Sequence, residues 1–199
     1  MLKHLQEYET DERSTNQMMY TSVADIYKAI DEPRERIYKR VENLNEEQAN
    51  ARPDANAWSA TEIVQHLTIM EDRLVRMMKV MLTKAEGASA KSDRATVEIK
   101  PFSLDELVAR SRNEKYIAPE AMRPSGTVPL ADLLVRLHQS RVELRSLRPR
   151  IEATDLSAVT YPHPAFGPLN VYQWLAFIGL HEERHLRQLE SVMAAEIEL

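Results

Sequence analysis

The chain of 199 residues contains no cysteine. This absence excludes disulfides, thiolate metal ligands and a nucleophilic thiol that belongs to the protein itself. Glycine is scarce as well, with 4 residues where average usage would give about 14. So few glycines, and little clustering of β-branched residues, indicate helices joined by connections that proline marks.

Long apolar runs and strong positive charge are also absent. No run approaches the roughly 18 apolar residues that span a bilayer, and residues 1–13 lack the apolar stretch of a secretory signal. The formal net charge of −5 and the lack of a basic stripe argue against nucleic-acid binding, which needs clustered Lys and Arg. We therefore expect a cytoplasmic protein that binds neither membrane nor nucleic acid.

Apolar residues recur at helical spacing over four long segments. We predict helices over about 22–44, 59–87, 129–148 and 170–195. No segment shows a convincing strand pattern, and Tyr161–Pro168 is rich in turn residues. These features predict an all-α fold, a four-helix bundle, in which the long connection 85–128 is a crossover or a lid over a site. We expect residues 1–20 to be a weakly ordered N-terminal extension and residues 21–199 to be a single domain.

Several local signals mark the ends of these helices. Pro33 predicts a kink in the first helix or its division into two. Ser59 and Glu62 have the spacing of a capping box at the start of the second helix. Asn170 is the expected N-cap of the fourth helix. A second capping box predicts a further short helix at about 104–113.

Three of the six histidines lie on or beside the apolar stripes of these helices. His181 and His185 are four residues apart, so their rings lie on one helix face and can bind one ion. At 100° per residue, His66 falls at the edge of the stripe of the second helix. Three imidazoles with an open fourth position are typical of a catalytic zinc site, and imidazole also suits nickel, iron and copper. The alternative is three core-edge histidines held by hydrogen bonds, because spacing alone does not place His66 at the height of the other two.

Residues 181–185 also match H-E-x-x-H, the zinc metalloprotease pattern in which the glutamate is a general base. A protease is disfavoured, because few residues follow His185 and no strand is predicted to bind an extended peptide. A di-iron site is disfavoured too, because it needs two E-x-x-H helices. Glu182 nevertheless falls on the inward arc of its helix and is our candidate catalytic base. Its alternative role is an ion pair with an arginine such as Arg73 or Arg184.

Two segments carry longer motifs in a fixed order. Residues 58–67 read WSATEIVQHL, and residues 163–188 contain HPAFGPL, a tryptophan and then H-x-x-R-H-x-x-Q. The first resembles the W-S-x-x-E-x-x-x-H-L signature of the DinB/YfiT-like family, and the second resembles the closing signature of that family. The metal ligands of the family fall on His66, His181 and His185.

This resemblance implies a four-helix bundle with a long crossover, one zinc or nickel ion and a homodimer. It also implies a metal-dependent transferase that activates a low-molecular-weight thiol, such as bacillithiol or mycothiol, for addition to an electrophile. The lack of cysteine fits a thiol supplied by a small molecule. The alternatives are metal-dependent hydrolysis of a small substrate, with Glu182 as base, and a non-catalytic stress-response protein with a structural ion. In the last case Glu182 or His163 would supply a fourth ligand.

Overall fold

The computed structural model of the protein describes residues 19–89, 97–105, 109 and 119–197. The α-helices in these residues are α1 (Val23–Val41), α2 (Glu46–Asn50), α3 (Ala60–Ser89), α4 (Leu130–Ser146), α5 (Arg148–Ala153) and α6 (Val171–Ile197), and Glu120–Met122 form one turn of 3-10 helix. The four long ones, α1, α3, α4 and α6, form a bundle, which confirms the predicted fold class. Most of the predicted N-terminal extension and most of the short helix predicted at about 104–113 lie outside the described residues. No helix in the described ranges has the length and apolar character that crossing a membrane requires.

The turn-rich stretch before α6 differs from its prediction, because it forms a β-hairpin. Strand β1 (Thr160–His163) pairs antiparallel with β2 (Gly167–Asn170). The indole N–H of Trp174 donates to the carbonyl oxygen of Tyr161 at 3.1 Å, which ties the hairpin to α6. Each strand has four residues and contains a proline. The alternation of apolar and polar residues in such short strands is too limited for them to be recognised from the sequence.

The caps predicted for α3 and α6 are present. Ser59 Oγ accepts the N–H of Glu62 at 3.2 Å, and the Glu62 carboxylate accepts the N–H of Ser59 at 2.9 Å. Asn170 and Gln173 exchange the same two bonds, at 2.9 and 3.0 Å. These reciprocal bonds satisfy N–H groups that have no partner within the helix, and they fix where each ligand-bearing helix begins.

Two apolar core regions fill the bundle, one toward each end. The first includes buried residues from all four long helices: Ile30, Met78, Leu144 and Leu175. The second region also includes buried residues from all four helices: Ile37, Leu67, Leu137 and Leu186. Helices α1 and α6 therefore run from the first region to the second, and α3 and α4 run the opposite way. Since α3 and α4 point in the same direction, the end of α3 and the start of α4 lie at opposite ends of the bundle, as the predicted crossover requires.

Helix α1 continues through Pro33, so the predicted division of this segment is wrong. Proline has no N–H to donate to the carbonyl of Ala29, four residues earlier. The structure places that carbonyl against Gly179 of α6, where a Cβ atom would lie 3.0 Å from the oxygen. Packing against α6 thus accommodates the proline. The close approach of the two helices depends on a glycine two residues before His181.

We expect Gly179→Ala to lower the free energy of unfolding by about 1–3 kcal/mol, although alanine favours helix. The added methyl would meet a backbone oxygen, which cannot rotate away as a side chain can. Gly87→Ala in α3 is the matched control, because nothing lies within 4 Å of its Cβ position, and it should stabilise the protein by about 0.5–1 kcal/mol. Urea denaturation measures both effects. Equal effects at the two positions would contradict the close approach.

Candidate metal centre

The three predicted ligands converge although two helices supply them. Nε2 of His66 lies 3.3 Å from Nε2 of His181, which lies 3.2 Å from Nε2 of His185. One ligand nitrogen from each ring lies within 4.8 Å of the other two. Helix α3 carries His66, and α6 carries the other pair at i,i+4 spacing. The antiparallel course of these helices brings all three rings to one height in the bundle.

Hydrogen bonds at Nδ1 leave Nε2 unprotonated in two of these rings. His66 Nδ1 donates to the carbonyl oxygen of Met122 at 2.8 Å, and His185 Nδ1 donates to Gln188 Oε1 at 2.9 Å. A neutral imidazole has a single N–H, so Nε2 of each ring is an acceptor. Oxygen acceptors of this kind orient the histidine ligands of metal sites. The observed geometry therefore fits a bound cation.

Burial keeps the three imidazoles in the neutral form that binds metals. Burial lowers the pKa of His66, His181 and His185, and the neighbouring histidines lower that of His181 and His185 further. The pKa of His185 falls to about 3. At neutral pH these rings therefore do not have to lose a proton before they bind an ion.

Aromatic rings lie beside all three histidines of the centre. The ring of Trp58 lies 5.1 Å from that of His66 and 6.2 Å from that of His185, and both histidines are 4% exposed. His181 is only half-buried. The ring of Phe177 lies 6.2 Å from it. The ring of Phe177 therefore forms an aromatic wall beside the least buried of the three histidines.

His163 lies next to this wall but not among the ligands. Its ring is 4.8 Å from that of Phe177, and its Nδ1 accepts the N–H of Ala165 at 3.1 Å within the hairpin turn. The group of described residues that could hold one ion contains the three histidines and neither His163 nor Glu182. Neither of the two residues considered as a fourth ligand therefore takes that position within the described part of the chain.

Glu182 belongs to a buried charge cluster, defined here as Arg34, Glu71, Arg141 and Glu182. Its Oε1 accepts from Arg34 Nη2 and, at 2.6 Å, from Arg141 Nη2. Glu71 accepts from the same two arginines, at 2.7 Å each. Each long helix contributes one member, and all four residues are 2–3% exposed. The charge cluster therefore lies at mid-height, between the two apolar core regions.

The two roles predicted for Glu182 have different outcomes. It forms an ion pair, but with Arg34 and Arg141 instead of the suggested Arg73 or Arg184, because only the former two are buried beside it. Burial raises the pKa of Glu182 against the opposing attraction of the two guanidinium groups. Its Oε2 is buried and has no hydrogen-bond partner among the described residues. Its role as a catalytic base stays a prediction.

Comparison with known proteins identifies the family of this chain. The profile of the DinB superfamily matches residues 29–189. The chain belongs to the DinB superfamily. The uncharacterized protein YuaE of Bacillus subtilis (strain 168) is 31% identical over 164 residues, which are 82% of this chain and 94% of that protein. The matched range includes the three histidines of this DinB-superfamily protein and its whole charge cluster.

Two solved structures are similar in fold. TT2238, described as a four-helix bundle protein, gives a TM-score of 0.56 at 18% identity and covers 84% of this chain and 98% of its own. YfiT from Bacillus subtilis, described as a probable metal-dependent hydrolase with an unusual four-helix bundle topology, gives a TM-score of 0.48 at 14% identity, with 86% and 85% covered. The likeness to TT2238 supports the four-helix bundle of this DinB-superfamily protein.

Two groups that orient the histidines in this DinB-superfamily protein were not predicted. Gln188 lies three residues after His185 on the same helix face, so a contact between the two side chains could have been predicted from the spacing. Met122 acts through its backbone carbonyl. A backbone contact from a distant segment leaves no side-chain pattern in the sequence, so the partner of His66 was not predictable.

Proposed function

We propose that His66, His181 and His185 hold one divalent ion, zinc or nickel, and that the protein is a metal-dependent enzyme acting on small molecules. The observation that carries this proposal is the convergence of three Nε2 atoms, two of them unprotonated, in a group without a fourth protein ligand among the described residues. Catalytic zinc sites have this count, whereas structural sites are closed by four protein ligands.

The bound ion would act as a Lewis acid that lowers the pKa of a coordinated thiol or water. The protein's own residues supply the rest. The acceptors at Nδ1 fix the rings of His66 and His185. The partial exposure of His181 leaves a path for an external molecule, and the ring of Phe177 keeps part of that path apolar. Because the chain has no cysteine, any thiol must come from solution.

We infer thiol transfer as the reaction, with a low-molecular-weight thiol as co-substrate. The thiol sulfur would form a bond to an electrophilic carbon of a second small molecule, the leaving group would depart with its bonding electrons, and the proton would go to solvent. This reaction needs no carboxylate base, since a thiol loses its proton on coordination. The ion pairs of Glu182 with Arg34 and Arg141 are consistent with a site that works without one.

Hydrolysis of a small substrate is the second candidate, and one observation favours it. Glu182 Oε2 has no hydrogen-bond partner in the described residues, and burial raises the pKa of this carboxyl. A carboxylate with a free oxygen and a raised pKa suits a general base. A homodimer and a cytoplasmic location, like the choice between zinc and nickel, remain predictions.

The test is turnover by protein loaded with zinc or nickel, measured on an aryl chloride with and without a small thiol, and on aryl esters without it. We expect arylation of the thiol at least about tenfold above the His185→Ala variant, because that variant lacks an ion ligand. Ester cleavage that needs His185 but no thiol would favour the hydrolase. Metal binding with neither activity on a broad substrate panel would contradict an enzymatic role.

A further inference from the structure

The segment 119–128, which precedes α4, is anchored to α3 beside the metal centre. Gln65 uses both ends of its amide: Oε1 accepts the N–H of Gly126 at 2.9 Å, and Nε2 donates to Ser125 Oγ at 2.9 Å. Gln65 is 7% exposed, so these bonds form largely out of water. It is also the residue directly before the ligand His66.

Gly126 lets the segment approach α3 this closely. Its φ of 70° lies in the left-handed region, which favours glycine. A Cβ atom at this position would also lie 3.4 Å from the carboxylate of Glu62, which already holds the first turn of α3. The backbone N–H that Gln65 binds is therefore placed by the conformation of the turn itself.

The same segment carries the acceptor of His66. The carbonyl oxygen of Met122, four residues before Gly126, accepts from His66 Nδ1. Because this acceptor belongs to the backbone, its position depends on the course of the segment and not on the side chain of Met122. Arg73 also binds the segment, through the carbonyl of Ala121 at 2.9 Å, but it is solvent-exposed, so its bond contributes less.

We propose that Gln65 is a positioning residue of the metal centre: by anchoring Ser125 and Gly126, it holds the Met122 carbonyl against His66 and so keeps Nε2 of His66 free for the ion. Without that acceptor, the proton of the neutral ring can move to Nε2 and block the ligand position. The consequence for the ion rests on the proposed function, whereas the consequence for the tautomer of His66 does not need an ion.

The experiment compares the wild-type protein with Gln65→Met, which keeps the side-chain length and removes both bonds. In metal-free protein at neutral pH, the ring nitrogen shifts of His66 in NMR should show the Nδ1–H tautomer in the wild type and a mixture in the variant. Zinc affinity, measured against a chromophoric chelator, should fall by about 10–100-fold, the usual range when an outer partner of a ligand is lost.

Two further variants separate positioning from general stability. Gln65→Glu keeps oxygens that can accept from Gly126 N–H and Ser125 Oγ–H, so it should restore the Nδ1–H tautomer. Gln173→Met removes a comparable hydrogen bond, in which the side-chain amide oxygen of Gln173 accepts the backbone N–H of Asn170 at 3.0 Å at the start of α6. It should leave both the tautomer of His66 and the zinc affinity unchanged. Should Gln65→Met not fold, Ser125→Ala removes one of the two bonds from the exposed segment and should give a smaller shift in the same direction.

The outcomes distinguish this proposal from the proposed function. An unchanged tautomer of His66 in folded Gln65→Met would overturn the positioning role, even if zinc affinity fell. Equal losses of affinity in Gln65→Met and Gln173→Met would overturn it too. A changed tautomer in a protein that binds no zinc in any form would support the role of Gln65 and refute the ion.

Discussion

We expect the His185→Ala variant to carry almost no metal, whereas wild-type protein purified without an affinity tag or chelator carries about one equivalent, as a site for a single ion should. The loss should be nearly complete, because two imidazoles remain of the three whose Nε2 atoms converge. His66→Ala and His181→Ala should give the same result. Helix content should stay largely intact, since alanine is the best helix former and all three positions lie within helices.

Elemental analysis measures the bound metal, and His138→Ala is the matched control. His138 is an exposed histidine of α4 and lies outside the group of three, so its removal should leave the stoichiometry unchanged. A second readout is stability: free zinc at 100 times its dissociation constant should stabilise the wild type by about 2.7 kcal/mol and should not stabilise His185→Ala. One equivalent of metal in each of the three ligand variants would show that the proposed site is wrong.

The sequence carried enough information to predict the four long helices and to single out the three histidines that the bundle brings together. The capping residues of α3 and α6, with the i,i+4 pair on α6, are local features that depend on helix geometry alone. The common height of His66 and the pair on α6 was not predictable. It depends on the relative position of the antiparallel helices along the bundle axis. That position is determined by the packing of both core regions, which is a property of the whole bundle.

The charge cluster as a whole was not predicted, although three of its four members leave a trace in their helices. These three interrupt an apolar stripe at helical spacing: Arg34 between Ile30 and Ile37, Glu71 between Leu67 and Leu74, and Arg141 between Leu137 and Leu144. One charged residue on a stripe is ordinary, because the edge of a stripe is partly solvated. These residues are buried because each of them meets opposite charges on two of the other three helices, and no single helix shows that.

The charge cluster leads to the second large effect that we expect. Arg34→Met should lower the free energy of unfolding by about 3–5 kcal/mol, the usual cost of removing one partner from a buried ion pair. The substitution leaves Glu71 and Glu182, each 2% exposed, with the single guanidinium group of Arg141 between them. Keeping two buried carboxylates ionised beside one cation is unfavourable in free energy. Urea denaturation at neutral pH measures the change.

Arg40→Met is the control for this prediction, because Arg40 is also an α1 arginine paired with a glutamate of α6. Its bond to Glu190 is 3.1 Å long, but the arginine side chain is 53% exposed, so its loss should change the free energy of unfolding by less than about 1 kcal/mol. Similar small effects of Arg34→Met and Arg40→Met would contradict the charge cluster. If the loss of stability in Arg34→Met comes from two carboxylates that share one guanidinium group, adding Glu182→Leu should restore part of the stability, because it removes one of these two negative charges. Strict additivity of the two losses would instead show that the buried charges do not act as a unit.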